Sequence, residues 1–166
     1  MLGKSRVCDV FEFVDKKTRR IYAVKVSKKG KLDASDAKKY LCNLADLEAI
    51  SHPILPRVQH SFENSENLFL FFPLYQRGSL KDLLLRRKTL HEVEVAIIAK
   101  TLLDYLLHVR KAGIMHRGIS LANLVLDGEM NLHLTTFRHI TRCNRQEWRH
   151  GQVHGGSLDF QPPEML

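Results

Sequence analysis

Between Ile114 and Asp127 the chain reads I-M-H-R-G-I-S-L-A-N-L-V-L-D, placing His116, Arg117, Ser120 and Asn123 within eight positions between two apolar runs. Such a cluster offers an imidazole, a guanidinium, a hydroxyl and an amide, but no carboxylate. Two further places hold chemically useful side chains. Lys25 sits in Y-A-V-K-V, near the end of a strand-like run, where a lysine is ordinarily just solvated. Cys143, His150 and His154 have C-x6-H-x3-H spacing, and three such residues without a fourth ligand read as an exposed loop, not a zinc site.

The elements that must position these residues follow from periodicity. Val7 to Phe13 and Ile21 to Val26 flank D-K-K-T-R-R and read as a hairpin; Arg57 to Phe62 and Leu68 to Phe72 flank E-N-S-E and read as a second. Asp36 to Ile50 carries apolar residues at helical spacing, with Ser35 as a candidate N-cap. Gly78-Ser79-Leu80 opens a short helix ending near Arg87. Glu92 to Lys111 is a long helix whose stripe (Val95, Ile98, Leu102, Tyr105, Leu106, Val109) is widened by Ile97, Leu103 and Leu107 and so predicts burial on more than one side. Gly113 stops it. Past Asn123, Leu124 to Leu126 and Asn131 to Thr135 flank the turn D-G-E-M and read as a small strand pair.

The chain has 166 residues, 44% of them hydrophobic, and a formal charge of +8. That suits one domain with no linker or repeat. The longest apolar run, Leu68 to Leu74, is far below the ~20 residues of a membrane-spanning helix, and M-L-G-K-S-R carries no signal-peptide core. Cys8, Cys42 and Cys143 are odd in number and widely spaced, as free thiols in a reducing compartment are. A cytoplasmic or nuclear location and no membrane association are expected. The basic residues are dispersed and no aromatic pattern interleaves with them along the sequence, so nucleic acid is not an expected partner, and a basic polyanion- or nucleic-acid-binding module ranks as the second alternative.

These motifs together resemble a eukaryotic protein kinase. The loop H-R-D-x-x-x-x-N of that family matches His116, Arg117 and Asn123, with Gly118 in place of the catalytic Asp. Gly3 to Cys8 falls at the glycine-rich loop, of which only Gly3 survives. Ala23 and Lys25 match V-A-I-K, and the Glu that pairs with that lysine is replaced by Asn43, with Asp46 as a remote substitute. Thr136-Phe137-Arg138 stands where the metal-binding D-F-G belongs, Ser120 replaces a lysine, and Gly156 to Glu164 resembles G-T-x-x-Y-x-A-P-E. The N-x-x-N-L-F-L hairpin looks most like the AGC group of Ser/Thr kinases.

The resemblance implies an α+β, protein kinase-like fold: a small antiparallel β N-lobe with one main helix over 1–73, and a truncated, mainly helical C-lobe over 74–166. It implies a nucleotide pocket formed by Gly3, Val10, Ala23, Lys25, Phe72, Tyr75 and Val125, with Pro73 and Tyr75 offering main-chain groups to adenine. Leu47, Val58, His116 and Phe137 form an apolar framework. It implies no catalytic residue, since Gly118, Ser120 and Thr136 are degenerate. Asn123 alone is a poor magnesium site. ATP binding is expected to be weak and magnesium absent. With packing kept and chemistry lost, the chain resembles a pseudokinase, an interaction or scaffolding module. A weak or atypical ATP-dependent Ser/Thr kinase is the first alternative. Val153 stands where many members carry a phosphorylated Thr, leaving Arg117 without a phosphate. A protein partner completing the C-lobe is expected, with marginal stability for the isolated chain because its long helix lacks cover.

Overall fold

A computed structural model describes residues 1–4, 8–31, 45–46, 49–55, 57–137, 139–142 and 160. The expectations placed on Asn43, on the side chain of Leu47, on Cys42, and on Cys143, His150 and His154 fall outside the described residues. So do those on Val153 and the A-P-E-like end.

The fold is α+β. Strands β1 (Gly3–Lys4), β2 (Cys8–Val14), β3 (Ile21–Lys28), β4 (His60–Glu63) and β5 (Asn67–Pro73) form an antiparallel sheet in the order β1-β2-β3-β5-β4. Both expected hairpins are present. The first is closed by an Asp15 turn, in which the carboxylate accepts from the Lys17 backbone N–H at 2.8 Å and from the Thr18 hydroxyl at 2.7 Å. This is the local Asx geometry that short polar side chains favour. The second is closed by Asn64, whose side-chain oxygen accepts from the backbone N–H of Glu66 and Asn67. Residues 45, 46, 49 and 50 are helical, within the expected 36–50 segment.

The sheet's two faces differ. Strand alternation sends Val10, Ala23, Lys25 and Phe72 to one side, and Phe11, Phe13, Tyr22, Val24, Phe69 and Phe71 to the other, joined there by His60 and Phe62 of β4. Rings that are dispersed in sequence thereby meet on one surface.

Helix α1 (Leu80–Arg87) begins directly after Ser79, its N-cap. The Ser79 hydroxyl accepts from the Asp82 N–H at 3.1 Å, and the Asp82 carboxylate accepts from the Ser79 N–H at 3.1 Å, a reciprocal capping box. Helix α2 (Glu92–Lys111) has the expected bounds, and Gly113 follows at φ 69°. Its N-terminus is held by Glu94, which accepts from the His91 N–H at 2.8 Å and from both terminal nitrogens of Arg87 at 2.6 and 3.0 Å.

The α2 stripe is buried less widely than its sequence predicts. Tyr105 and Val109 are fully buried, and Ile98 and Leu102 pack against the core from its edge. Val95, Leu106, Ile97, Leu103 and Leu107 are exposed, as is Val93. Only one flank of the helix meets the core formed by Ile54, Leu70, Phe72, Ile114, Leu124, Leu134, Phe137 and Ile140. No described element covers the other flank.

Small strands finish the fold. β6 (Gly78–Ser79), β8 (Leu124–Leu126) and β9 (Leu132–Leu134) make one sheet in the order β6-β8-β9; β7 (Ile114–Met115) pairs with β10 (Thr141–Arg142). The loop between β7 and β8 contains His116 to Asn123. It is held at both ends by sheet pairing.

Removing the α1 cap tests the register of this half. Ser79→Ala is expected to cost about 0.5–2 kcal/mol in urea unfolding. A loss below the error of the midpoint would show that the capping box does not anchor α1.

Candidate functional site

Lys25 leaves β3 and passes between two aromatic rings, its Nζ 5.2 Å from the centroid of Phe72 and 5.1 Å from that of Phe137. There it donates to the main-chain carbonyl of Thr135. Among the described residues no carboxylate pairs with it. Burial of the ammonium lowers its pKa from 10.5 to about 8, because neither a carbonyl dipole nor ring faces replace the water it has lost.

Asp46, the remote substitute for a pairing acid, faces elsewhere. Its carboxylate accepts from Arg142 Nε at 2.9 Å, with a second bond from Arg142 Nη2, and this pairing holds the Asp46 pKa below the usual carboxylate range. The helical segment is thereby tied to β10, not to Lys25. Arg117, at φ 61°, places Nη1 3.3 Å from the Thr141 hydroxyl.

The His116-to-Asn123 loop closes on itself. His116 is buried, and its Nε2 lies 2.8 Å from the Thr136 carbonyl while its Nδ1 accepts from the Gly118 N–H at 3.2 Å. A carbonyl only accepts, so the proton sits on Nε2. Burial lowers the His116 pKa to about 4, keeping the ring neutral in that tautomer. The Asn123 amide donates to the Gly118 carbonyl at 2.9 Å, its backbone N–H donates to Ser120, and Ser120 is itself buried.

Gly118 is a glycine for lack of space. A Cβ there would stand 3.1 Å from the Thr136 Cγ2, 3.5 Å from His139 Cδ2 and 3.6 Å from His116 Cε1. A Cβ at 118 therefore requires the Thr136 methyl to give way by a few tenths of an ångström. Gly3, by contrast, has nothing within 4 Å of a built Cβ, so β1 does not need a glycine for close packing there.

Magnesium finds a poor ligand set among the described residues. The Gly118 and Thr136 positions carry no carboxylate, Asn123 offers only a neutral amide oxygen while its nitrogen donates to the Gly118 carbonyl, and no group of three His, Cys, Asp or Glu able to hold a metal occurs among the described residues. The face that would receive adenine is better formed. Ala23 and Phe72 are direct cross-strand partners, Val10 lies opposite Lys25, and Val125 in β8 pairs with Ser79. Tyr75 stacks its ring on His133 at 4.4 Å, leaving its main chain as what it offers to that face.

Three contacts had no signal in the sequence. The Thr135 carbonyl as partner of Lys25 is main chain, and a side-chain motif does not encode it. The Asp46–Arg142 pair joins residues 96 positions apart. Tyr75, His133 and Asp127 form a third group, with His133 Nε2 3.0 Å from the Asp127 carboxylate and an Asp127 pKa lowered to about 2. They line an open cleft of about 590 Å³ with Ser51, His52 and Arg57, and none of Lys25, Asn123 or Thr136 borders it.

A five-stranded antiparallel sheet, a strand-borne lysine reaching the end of a small β-pair, and a loop held by a buried histidine define a kinase-type fold. The protein kinase domain model matches residues 1–166, and the chain belongs to the protein kinase family. It is 30% identical over 138 residues to the probable serine/threonine-protein kinase CCRP1 of Zea mays, covering 82% of this chain and 22% of that protein. It is 27% identical over 175 residues to Aurora kinase B of Mus musculus, covering 99% of this chain and 47% of the relative. It is 26% identical over 170 residues to the serine/threonine-protein kinase cds1 of Schizosaccharomyces pombe, covering 99% and 37%. The chain thus spans less than half the length of these relatives.

Two measurements check this geometry. Gly118→Ala is expected to cost about 1–3 kcal/mol by overpacking, and less in a Thr136→Ser background that removes the methyl; equal costs in both backgrounds would show that the methyl is not the obstacle. The depressed pKa values also set pH slopes. Lys25 binds its proton more tightly unfolded than folded, so wild type should gain stability relative to Lys25→Met as pH rises from about 8 to 10.5. His116 likewise costs stability as pH falls from 6.5 to about 4. Parallel unfolding curves for wild type and Lys25→Met across the alkaline range would overturn the lysine assignment.

Proposed function

We propose that this chain is a non-catalytic member of the protein kinase family, a pseudokinase that acts as an interaction or scaffolding module in the cytoplasm or nucleus. The observation that carries the reading is that neither Gly118 nor Thr136 supplies a carboxylate, while the methyl of Thr136 crowds the position a Cβ at 118 would take, at 3.1 Å. The two absent acids are therefore one structural change. Proton acceptor and metal ligand are lost together, and the polar groups around them are satisfied internally.

The proposed arrangement is a β-rich lobe over 1–73 and a partial helical lobe over 74–166. Nucleotide binds weakly and without magnesium on the Val10, Ala23, Lys25, Phe72 and Val125 side. Val58, His116 and Phe137 serve as framework; Phe137 and His116 are buried and Val58 packs against the core. A protein partner covers the exposed α2 flank of Val93, Ile97, Leu103 and Leu107.

The rival reading, a weak or atypical ATP-dependent Ser/Thr kinase, draws support from the family itself. A nucleotide-induced thermal shift, run with and without magnesium on wild type and Lys25→Ala, separates the two. We expect no magnesium-dependent shift and no phosphotransfer to a generic Ser/Thr substrate. A magnesium-dependent shift that disappears in Lys25→Ala, or phosphotransfer by wild type that rises in the Gly118→Asp/Thr136→Asp double variant, would establish the kinase reading instead.

A further inference from the structure

On the sheet face opposite Lys25 the aromatic rings pack in two groups, one at the end of the β2–β3 turn and one at the far end. Phe13 lies 6.3 Å from Phe71, Tyr22 lies 6.0 Å from Phe71 and 5.9 Å from His60, and Phe62 lies 5.5 Å from Phe69. The inner rings are supported: Tyr22 and Val24 beneath them are buried. The outer ones are open, with Phe13 46% and Phe62 59% exposed. A pair of large rings left in water on a braced platform is surface available to a flat apolar partner.

Charge rims one end of this platform. The turn joining β2 to β3 carries Lys16, Lys17, Arg19 and Arg20, all exposed, directly after Phe13 and Val14 and directly before Ile21 and Tyr22. Its single acid, Asp15, is spent within the turn on Lys17 and Thr18. At the sheet's other end Asp9 shares the aromatic face, and Glu63 is paired with Lys29 at 3.0 Å. The occupant must therefore supply flat π-surface to Phe13 and Phe62 and negative charge to the turn. A single-stranded polynucleotide supplies both in every repeat unit: an unpaired base and a phosphate. A duplex hides its base faces, and a polyanion without bases gives the rings nothing.

We propose that the aromatic outer face of the five-stranded sheet, with the Lys16-to-Arg20 turn, is a docking surface for single-stranded nucleic acid. The site lies on the opposite side of the sheet from Lys25 and Phe72, so it stands or falls independently of the nucleotide reading.

The test is fluorescence anisotropy of the 166-residue chain with a labelled oligouridine of about 15 nucleotides, between about 50 and 200 mM salt. Expected results are affinity that falls with salt, weakening of about 5- to 100-fold in Phe13→Ala and in Phe62→Ala, and retention in Phe62→Trp. Lys16→Glu/Lys17→Glu should lower both the affinity and its salt dependence. Absence of binding at the lowest salt overturns the proposal. So does unchanged affinity in both alanine variants, or heparin binding that matches the oligonucleotide and ignores Phe62; those two outcomes would show attraction by charge alone. Displacement of the oligonucleotide by an acidic peptide at lower concentration than by unlabelled oligouridine would assign the face to a protein instead.

Discussion

An ammonium group withdrawn from water without an anion to meet it is the constraint on which this arrangement turns. Lys25 extends from β3, passes between Phe72 of β5 and Phe137, and ends on the Thr135 carbonyl just beyond β9. One side chain thus joins the large sheet to the small one through a dipole and two ring faces, interactions weaker than a salt bridge and insufficient to hold the lysine at its ordinary pKa. Among the described residues no acid balances it, and Asp46 is drawn off by Arg142. The lysine has been kept as a structural tie across the fold while its electrostatic complement has gone.

The same substitution of packing for charge recurs around the loop. In a site built for phosphoryl transfer, one carboxylate accepts the nucleophile's proton and a second holds the metal. Here a glycine and a threonine take those positions, and the threonine methyl occupies the space above the glycine. His116, neutral because it is buried, bridges the Gly118 N–H and the Thr136 carbonyl and so ties the two positions together.

Much of this was legible in the sequence because it is local. The capping box at Ser79, the bounds of Glu92–Lys111, the Gly113 stop and both hairpins are written within a few residues of where they act, in side-chain period and turn chemistry. The identities of Gly118, Thr136 and Lys25 were equally legible as positions in a motif. Their contacts were not. That Thr136 crowds Gly118, that Lys25 ends on a main-chain carbonyl, and that Asp46 chooses Arg142 all depend on how distant strands register, which no local pattern specifies. The α2 stripe shows the reverse error: its period is fully helical, yet periodicity reports which residues are apolar and not whether anything lies against them.

The two faces of the five-stranded sheet differ for a reason that follows from alternation. Each strand must send every second side chain to the inner face, where Val10, Ala23, Lys25 and Phe72 meet the rest of the fold, and the remaining residues are then free of that constraint. On an ordinary solvated face those positions are polar. Here many are aromatic, phenylalanines, a tyrosine and a histidine contributed by four strands, with Phe13 left open to water beside a cationic turn and Phe62 left open at the far end, in the cross-strand row of Asp9. Edge-to-face packing explains the buried members of the set, since Tyr22 and Phe71 brace each other. It does not account for Phe13 and Phe62, whose exposure costs solubility and which contribute little to the core. Residues that the fold does not require, one of them beside four positive charges, are better explained by a surface that binds than by one that merely packs.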